Sequence, residues 1–156
     1  RKVDDLEALK DAVTFAQQYD DEILIEQWID GREFTCAVLE GKALPLIELK
    51  TDHDFYDFDA KYQSHDTQYI CPSNLPTKQQ ADIQKVVLQA FEVMGGRHWG
   101  RIDLMLDKND QAWLIEMNTV PGMTDHSLVP MAAKAVGMAF EQLVLKLLAL
   151  TLKVNR

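Results

Sequence analysis

Trp99-Gly100-Arg101-Ile102-Asp103-Leu104-Met105-Leu106, then Asp107-Lys108-Asn109-Asp110, then Gln111-Ala112-Trp113-Leu114-Ile115-Glu116-Met117-Asn118: the reading of this stretch decides the fold. Two apolar-rich runs flank four residues of turn chemistry, which predicts two antiparallel strands joined as a hairpin. Side chains alternate across a strand. Arg101, Asp103 and Met105 therefore share one face, against Ile102, Leu104 and Leu106. In the second strand Leu114, Glu116 and Asn118 share a face, against Trp113, Ile115 and Met117. With the turn centred on Lys108-Asn109, Arg101 lies opposite Glu116 and Asp103 opposite Leu114, so one face holds an Arg, an Asp, a Glu and an Asn. That face is either the solvated exterior of an antiparallel sheet or a site for a hard cation and phosphate. Mg²⁺ takes one or two carboxylates plus phosphate oxygens and water, and a guanidinium stabilises charge on a transferring phosphoryl group. Spacing alone leaves both readings open.

Working outward, Thr77 to Met94 is the clearest helix. Ile83, Val86, Val87, Ala90, Phe91 and Met94 form its apolar stripe, Thr77 and Gln80 a capping box, and Gly95-Gly96 its end. Glu33 to Leu39 and Lys42 to Leu49 read as strands joined around Glu40-Gly41. Upstream, Asp4 to Gln18 has helical spacing with an Asp4/Glu7 capping box, and Glu22 to Ile29 reads as a strand. Downstream, Thr119 to His126 is a loop, followed by helices over Leu128 to Val136 and Met138 to Leu152. Thr51 to Pro76 lacks periodicity and reads as a long loop, and such loops are usually functional or disordered. Its aromatic residues Phe55, Tyr56, Phe58 and Tyr62 favour function. Antiparallel hairpins with helices packed on one face make the class α+β.

The net charge of −9 offers no electrostatic footprint for nucleic acid or an anionic membrane. No apolar run is long enough to span a bilayer, and no signal peptide is visible. Cys36 and Cys71 are spaced as neither a metal nor a redox motif, so two buried, reduced thiols of a cytosolic protein are expected. The absence of an initiator Met before the first helix pattern reads as a piece of a longer protein.

Four segments resemble the D-alanine–D-alanine ligases, a family of ATP-grasp enzymes: Gly100-Arg101-Ile102-Asp103, Leu114-Ile115-Glu116-Met117-Asn118-Thr119, Pro121-Gly122-Met123-Thr124 and His126-Ser127-Leu128-Val129-Pro130. The similarity covers essentially the whole chain. It implies the end of the central ATP-grasp subdomain over residues 1–28 and the C-terminal ATP-grasp domain over 29–156. By this resemblance Asp103, Glu116 and Asn118 hold two Mg²⁺ ions, with Mn²⁺ as a substitute, and Glu116 touches both. Arg101 and the Gly122 N–H stabilise an oxyanion. Ser127 and the Leu128 N–H receive the carboxylate of the second D-alanine, while by local sequence Ser127 is also an ordinary helix N-cap. Glu26, Gln27, Trp28, Ile29 and Glu33 form the adenine and ribose site; taken alone, that segment is a strand, a turn and a strand, with Trp28 in the core. Lys61 and Tyr62 belong to a lid over ATP, Tyr62 favouring D-alanine over D-lactate as acceptor; on that reading Phe55 to Tyr69 orders only with ligand. His126 reads equally as a cap or a packing residue. The implied activity is ATP-dependent formation of D-alanyl-D-alanine for peptidoglycan precursors, in the cytoplasm, with D-alanine and ATP as partners. It implies neither nucleic acid nor membrane, and a homodimer formed largely outside this region. The phosphate loop and the pocket for the first D-alanine are not in this sequence, so the 156-residue chain alone is expected to be inactive.

Overall fold

A computed structural model describes residues 2–50 and 67–152. Lys61, Tyr62 and nearly all of the expected lid lie outside the described residues. The chain divides between Asp30 and Gly31 into two compact units.

In the first unit, α1 (Leu6–Ala16) is capped by Asp5, whose carboxylate accepts the Ala8 N–H at 2.8 Å. The cap is thus one residue beyond the expected Asp4, which instead meets Lys2 at 3.3 Å in the open. The expected strand over Glu22 to Ile29 does not form. Its apolar residues are exposed, Leu24 at 81% and Ile25 at 61%. Apolar sequence alone cannot make a strand. The backbone N–H and C=O groups also need a neighbouring strand, and among the described residues none pairs with this segment.

The second unit is an antiparallel sheet of β1 (Gly31–Leu39), β2 (Lys42–Ala43), β3 (Ile47–Lys50), β4 (Gln68–Ile70), β5 (Trp99–Asp107) and β6 (Ala112–Asn118). Its order is β4-β3-β1-β5-β6, with β2 paired to β1. Glu40 and Gly41 both adopt positive φ (49° and 71°), the two-residue hairpin turn whose twist matches its strands. The expected second strand of this hairpin breaks at Leu44-Pro45-Leu46, because Pro45 has no N–H for a ladder. β4 lies inside what the sequence suggests is uninterrupted loop.

β1 runs antiparallel to β5 along its full length, and it is this pairing that builds the centre of the molecule. Phe34, Cys36 and Val38 of β1 join Ile102, Leu104 and Leu106 of β5 on one face. That face receives Ile83, Val87 and Phe91 of α2 (Thr77–Val93). The opposite face buries Ala37, Leu39 and Ile47 beneath α3 (Leu128–Ala135) and α4 (Phe140–Leu152), through Val129, Ala132, Ala133, Leu143 and Leu147. Helices therefore cover both faces rather than one. β1 is central, and a central strand buried on both sides reads as a continuous apolar run. Among the described residues no single helix is long and apolar enough to cross a membrane; α3 and α4 form an apolar pair bent by 108°.

The helix ends follow local chemistry. Gly95 has φ 77°, and the N–H groups of Gly95 and Gly96 return to the carbonyls of Glu92 and Phe91, a paired C-terminal closure that needs a residue tolerant of the left-handed region. At the start of α2 no side chain caps. Pro76 occupies the N-cap, and the Gln80 amide donates to the carbonyls of Leu75 (2.8 Å) and Ser73 (3.4 Å), so Thr77 and Gln80 do not form the expected box. The thiols are both free, but only Cys36 is buried; Cys71 is half-buried. Burial pushes the Cys36 thiol up to about 12, far from reactive thiolate.

The β5–β6 turn is tied by one side chain. The Asp107 carboxylate accepts the N–H groups of Asn109 (2.8 Å) and Gln111 (2.9 Å) and the Trp113 indole N–H (3.1 Å). The Gln111 N–H and the Trp113 indole, followed by the Asn109 N–H and the nearby Lys108 charge, hold this carboxyl below its ordinary value. A carboxyl whose folded value is depressed stabilises the fold above its unfolded value, about 3.9, and this contribution vanishes as pH falls through the folded value. Asp107→Asn is therefore expected to lower the denaturant midpoint at pH 7, with the gap from wild type closing as pH falls below the unfolded carboxyl value of about 3.9. A gap independent of pH would assign the role of Asp107 to shape rather than charge.

Candidate active site

The face of the β1–β5–β6 sheet not covered by α2 gathers the polar residues. Arg101 and Asp103 alternate outward from the α2 core on β5, two residues apart on one strand. The guanidinium forks onto the carboxylate, Nε to Oδ1 at 2.8 Å and Nη2 to Oδ2 at 2.7 Å. Across the hairpin, Asp103 faces Glu116 and Arg101 faces Asn118. The Asn118 amide donates to Asp103 Oδ2 at 3.0 Å and to Glu116 Oε1 at 3.2 Å, so one amide joins both carboxylates.

This is not the register that the sequence suggests. The loop is Lys108-Asn109-Asp110, with Asp110 at φ 62°, so the turn centres on Asn109. From Leu106↔Ala112 the pairing runs regularly to Leu104↔Leu114, then shifts by one so that Asp103 meets Glu116, leaving Ile115 as an extra residue on β6. The two displacements together move the partner of Arg101 from Glu116 to Asn118. A bulge re-aims the side chains beyond it. Had the regular pairing continued, Glu116 would face Ile102, on the α2 side; with the shift, Met117 takes that place against the core and Glu116 turns to Asp103. Leu114 is correspondingly not on the polar face.

A fifth member comes from β1. Thr35 pairs with Asp103, and its hydroxyl donates to Asp103 Oδ1 at 2.6 Å. Thr35 and Asp103 are among the few buried polar residues, at 2% and 7% exposure. Nothing local marks Thr35. Its signal is the β1–β5 pairing, which joins residues 68 positions apart. Glu33, two residues away on the same strand face, lies level with Met105 and is half-buried. Glu48, also invisible to pattern reading, is 3% exposed and meets Arg32 at 3.5 Å on the α2 side.

The loop after β6 brings Gly122 to Ser127. A Cβ on Gly122 would lie 3.0 Å from Ser127 Oγ, tighter than ordinary contact, so the close approach favours glycine. Ser127 is the N-cap residue of α3, yet its hydroxyl makes no cap bond. It accepts the Thr124 N–H at 2.9 Å and shares a proton with Thr124 Oγ1 at 2.8 Å. The Leu128 N–H at the first helical position faces the helix start, a natural anion site. His126 neither caps nor packs; its side chain is 92% exposed, 3.4 Å from Asp125.

Of the expected adenine residues, Glu26, Gln27, Trp28 and Ile29 lie in a stretch of the first unit without regular secondary structure. Trp28 is 39% exposed with the Lys2 ammonium 5.4 Å from its ring, so it is not a core residue. Among the described residues no three His, Cys, Asp or Glu side chains form a metal cluster. Two carboxylates and an amide, flanked by a guanidinium, nevertheless suit Mg²⁺ brought in with phosphate oxygens.

Residues 1–149 match the family described as the D-Ala–D-Ala ligase C-terminus. The chain belongs to the D-alanine–D-alanine ligase family. It is 72% identical to the D-alanine–D-alanine ligase of Hydrogenovibrio crunogenus over 97% of its length and 49% of that protein. With the Marinobacter nauticus ligase it shares 53%, over 97% and 47%. Among solved structures, the Bacillus anthracis D-alanine–D-alanine ligase complexed with ATP superposes with a TM-score of 0.84 at 28% identity, over 97% of this chain and 48% of that one. The VanG D-Ala:D-Ser ligase of Enterococcus faecalis gives 0.81 at 27% identity, over 94% and 43%. The chain spans about half the length of the curated family members it matches. Antiparallel α+β architecture is what the family resemblance implies and what the structure has.

Proposed function

We propose that this chain is the cation-, phosphate- and acceptor-binding part of a cytoplasmic enzyme that joins two D-alanines with ATP for peptidoglycan precursors. The observation that carries the reading is the joining of Arg101, Asp103, Glu116 and Asn118 on one face of the hairpin. In the reaction the γ-phosphoryl group of ATP passes to the carboxylate of the first D-alanine, giving an acyl phosphate and ADP. The amine of the second D-alanine attacks that carbonyl, an N–C bond forms, phosphate leaves and the amine loses a proton.

Asp103, Glu116 and the Asn118 amide oxygen would hold two Mg²⁺ ions, which supply charge neutralisation at the ATP phosphates. All four lone-pair positions of the Asp103 carboxylate already accept hydrogen bonds, two from Arg101, one from Asn118 and one from Thr35. Arg101 and Asn118, both only partly buried, are the donors that can turn away. Rotation of Asn118 presents Oδ1 in place of Nδ2. Release of Arg101 frees a guanidinium for the oxyanion of the tetrahedral intermediate, alongside the Gly122 N–H. Ser127 and the Leu128 N–H receive the acceptor's carboxylate. By the family resemblance, Glu26 to Ile29 would serve the adenine, Glu33 the ribose, Lys61 the phosphates and Tyr62 the substrate. Division of the chain into the end of a central subdomain over 1–28 and a C-terminal domain over 29–156, and a homodimer formed elsewhere, complete the proposal.

The test uses the intact protein with ATP, Mg²⁺ and D-alanine. ATP-dependent release of phosphate together with D-alanyl-D-alanine is expected. The likeness to a D-Ala:D-Ser ligase makes D-serine the informative competitor. Preferential D-alanyl-D-serine would reassign the acceptor, and no phosphate with any amino acid would leave a nucleotide-binding module.

A further inference from the structure

The Asp103 carboxylate is held from two sides that differ in kind. Arg101 and Asn118, both part-buried, reach it from β5 itself and from β6, and in the proposed reaction both exchange partners. Thr35 reaches it from within the sheet. It is 2% exposed, lies on the central strand directly across from Asp103, and has Phe34 and Cys36, both fully buried, as chain neighbours. A β-branched side chain is restricted at χ1, and burial together with the 2.6 Å bond to Asp103 limits how far this hydroxyl can turn. Its proton has two acceptors in reach, Asp103 Oδ1 at 2.6 Å and the Ile102 carbonyl at 3.4 Å, and the shorter contact takes it.

We propose that Thr35 is a positioning residue for the cation site: its hydroxyl anchors one oxygen of Asp103 from the buried side, so that the carboxylate keeps its orientation when Arg101 and Asn118 let go. This rests on the reading of Asp103 as a cation-binding carboxylate. The physical need is specific. A carboxylate on a strand swings about χ1 and χ2, and its donors Arg101 and Asn118 are the groups the proposed reaction draws away. Without Thr35, exchange of those donors would leave Asp103 unconstrained at the moment it is required to bind.

The experiment compares Thr35→Val, which keeps the shape and removes the donor, with Thr35→Ser, which keeps the donor, in the intact protein. Mn²⁺ binding in the presence of a non-hydrolysable ATP analogue is followed by electron paramagnetic resonance, and the Mg²⁺ concentration for half-maximal turnover is measured alongside. Outer-sphere partners of metal ligands are worth about 10- to 100-fold in affinity. Thr35→Val is expected to weaken Mn²⁺ binding by about tenfold and to raise the Mg²⁺ requirement equally, with kcat largely restored at high Mg²⁺ and Thr35→Ser close to wild type. Should the valine variant fail to fold, Thr35→Cys, with only a weak donor, takes its place. Asp103→Asn is the control. If it abolishes Mn²⁺ binding while Thr35→Val leaves binding unchanged, the positioning role is wrong. If Asp103→Asn itself leaves Mn²⁺ binding intact, the reading of Asp103 is what fails. Equal loss in the valine and serine variants would reduce Thr35 to a packing residue.

Discussion

If the proposed function holds, Glu116→Gln in the intact protein is expected to lower turnover by roughly a hundredfold or more, the scale of removing one preorganised electrostatic group from a reacting centre. Gln keeps the length of Glu and can still accept from the Asn118 amide, which donates to Glu116 Oε1 at 3.2 Å. What it loses is the negative charge facing Asp103 across the hairpin. Glu116 lies on the exposed edge strand of the sheet, so its replacement removes no core packing. The melting temperature should hold while kcat collapses, and that separation is the diagnostic. Near-normal turnover at saturating Mg²⁺ would remove Glu116 from the site.

Phe91→Ala is expected to do the reverse, lowering stability by about 3–5 kcal/mol, the range for truncating a buried phenylalanine. Phe91 is 4% exposed and sits in the core between α2 and the sheet. Its ring also fills the space over two glycines: a Cβ on Gly96 or Gly100 would fall 2.6 and 2.7 Å from it. Gly100 opens the strand segment that presents Arg101, so the cavity would form directly beneath the start of the polar face. Chemical denaturation of the variant checks the magnitude, and a loss under 1 kcal/mol would show that the surrounding helix and strand collapse onto the gap.

The elements with strong local signals were legible in the sequence. The stripe Ile83-Val87-Phe91 identified α2, and the turn residues Asp107 to Asp110 identified the β5–β6 hairpin. The four polar members of the candidate site were visible as residues, because alternation along β5 is regular. Their pairing was not, since the turn centres half a residue further along, which moves every partner by one, and Ile115 inserts a further shift that no propensity distinguishes from an ordinary strand isoleucine. Thr35 escaped for a different reason. Its link to Asp103 depends on β1 lying beside β5, a long-range pairing between residues whose local sequence carries no mark of it. Ser127 shows a third cause: a serine before a helix reads as a cap, yet the neighbouring Thr124 backbone competes for its oxygen. The Glu22 to Ile29 segment had the composition of a strand, but among the described residues no strand pairs with it.

Anyone transplanting the four-residue cluster into a designed hairpin would have to bring the bulge at Ile115 with it, or leave that residue out. In a scaffold of ideal alternation, Arg101 and Asp103 would point outward as they do here, while Glu116 and Asn118, placed by counting from the turn, would be directed into the apolar interior. Deleting that single residue would instead restore ideal alternation with every partner kept, since Glu116, then next to Leu114, would still face Asp103 and Met117 would still face Ile102. The irregularity thus acts as a parity converter: counted along the strand, it places Ala112 and Leu114 on the α2 side and Glu116 and Asn118, also even-numbered, on the other.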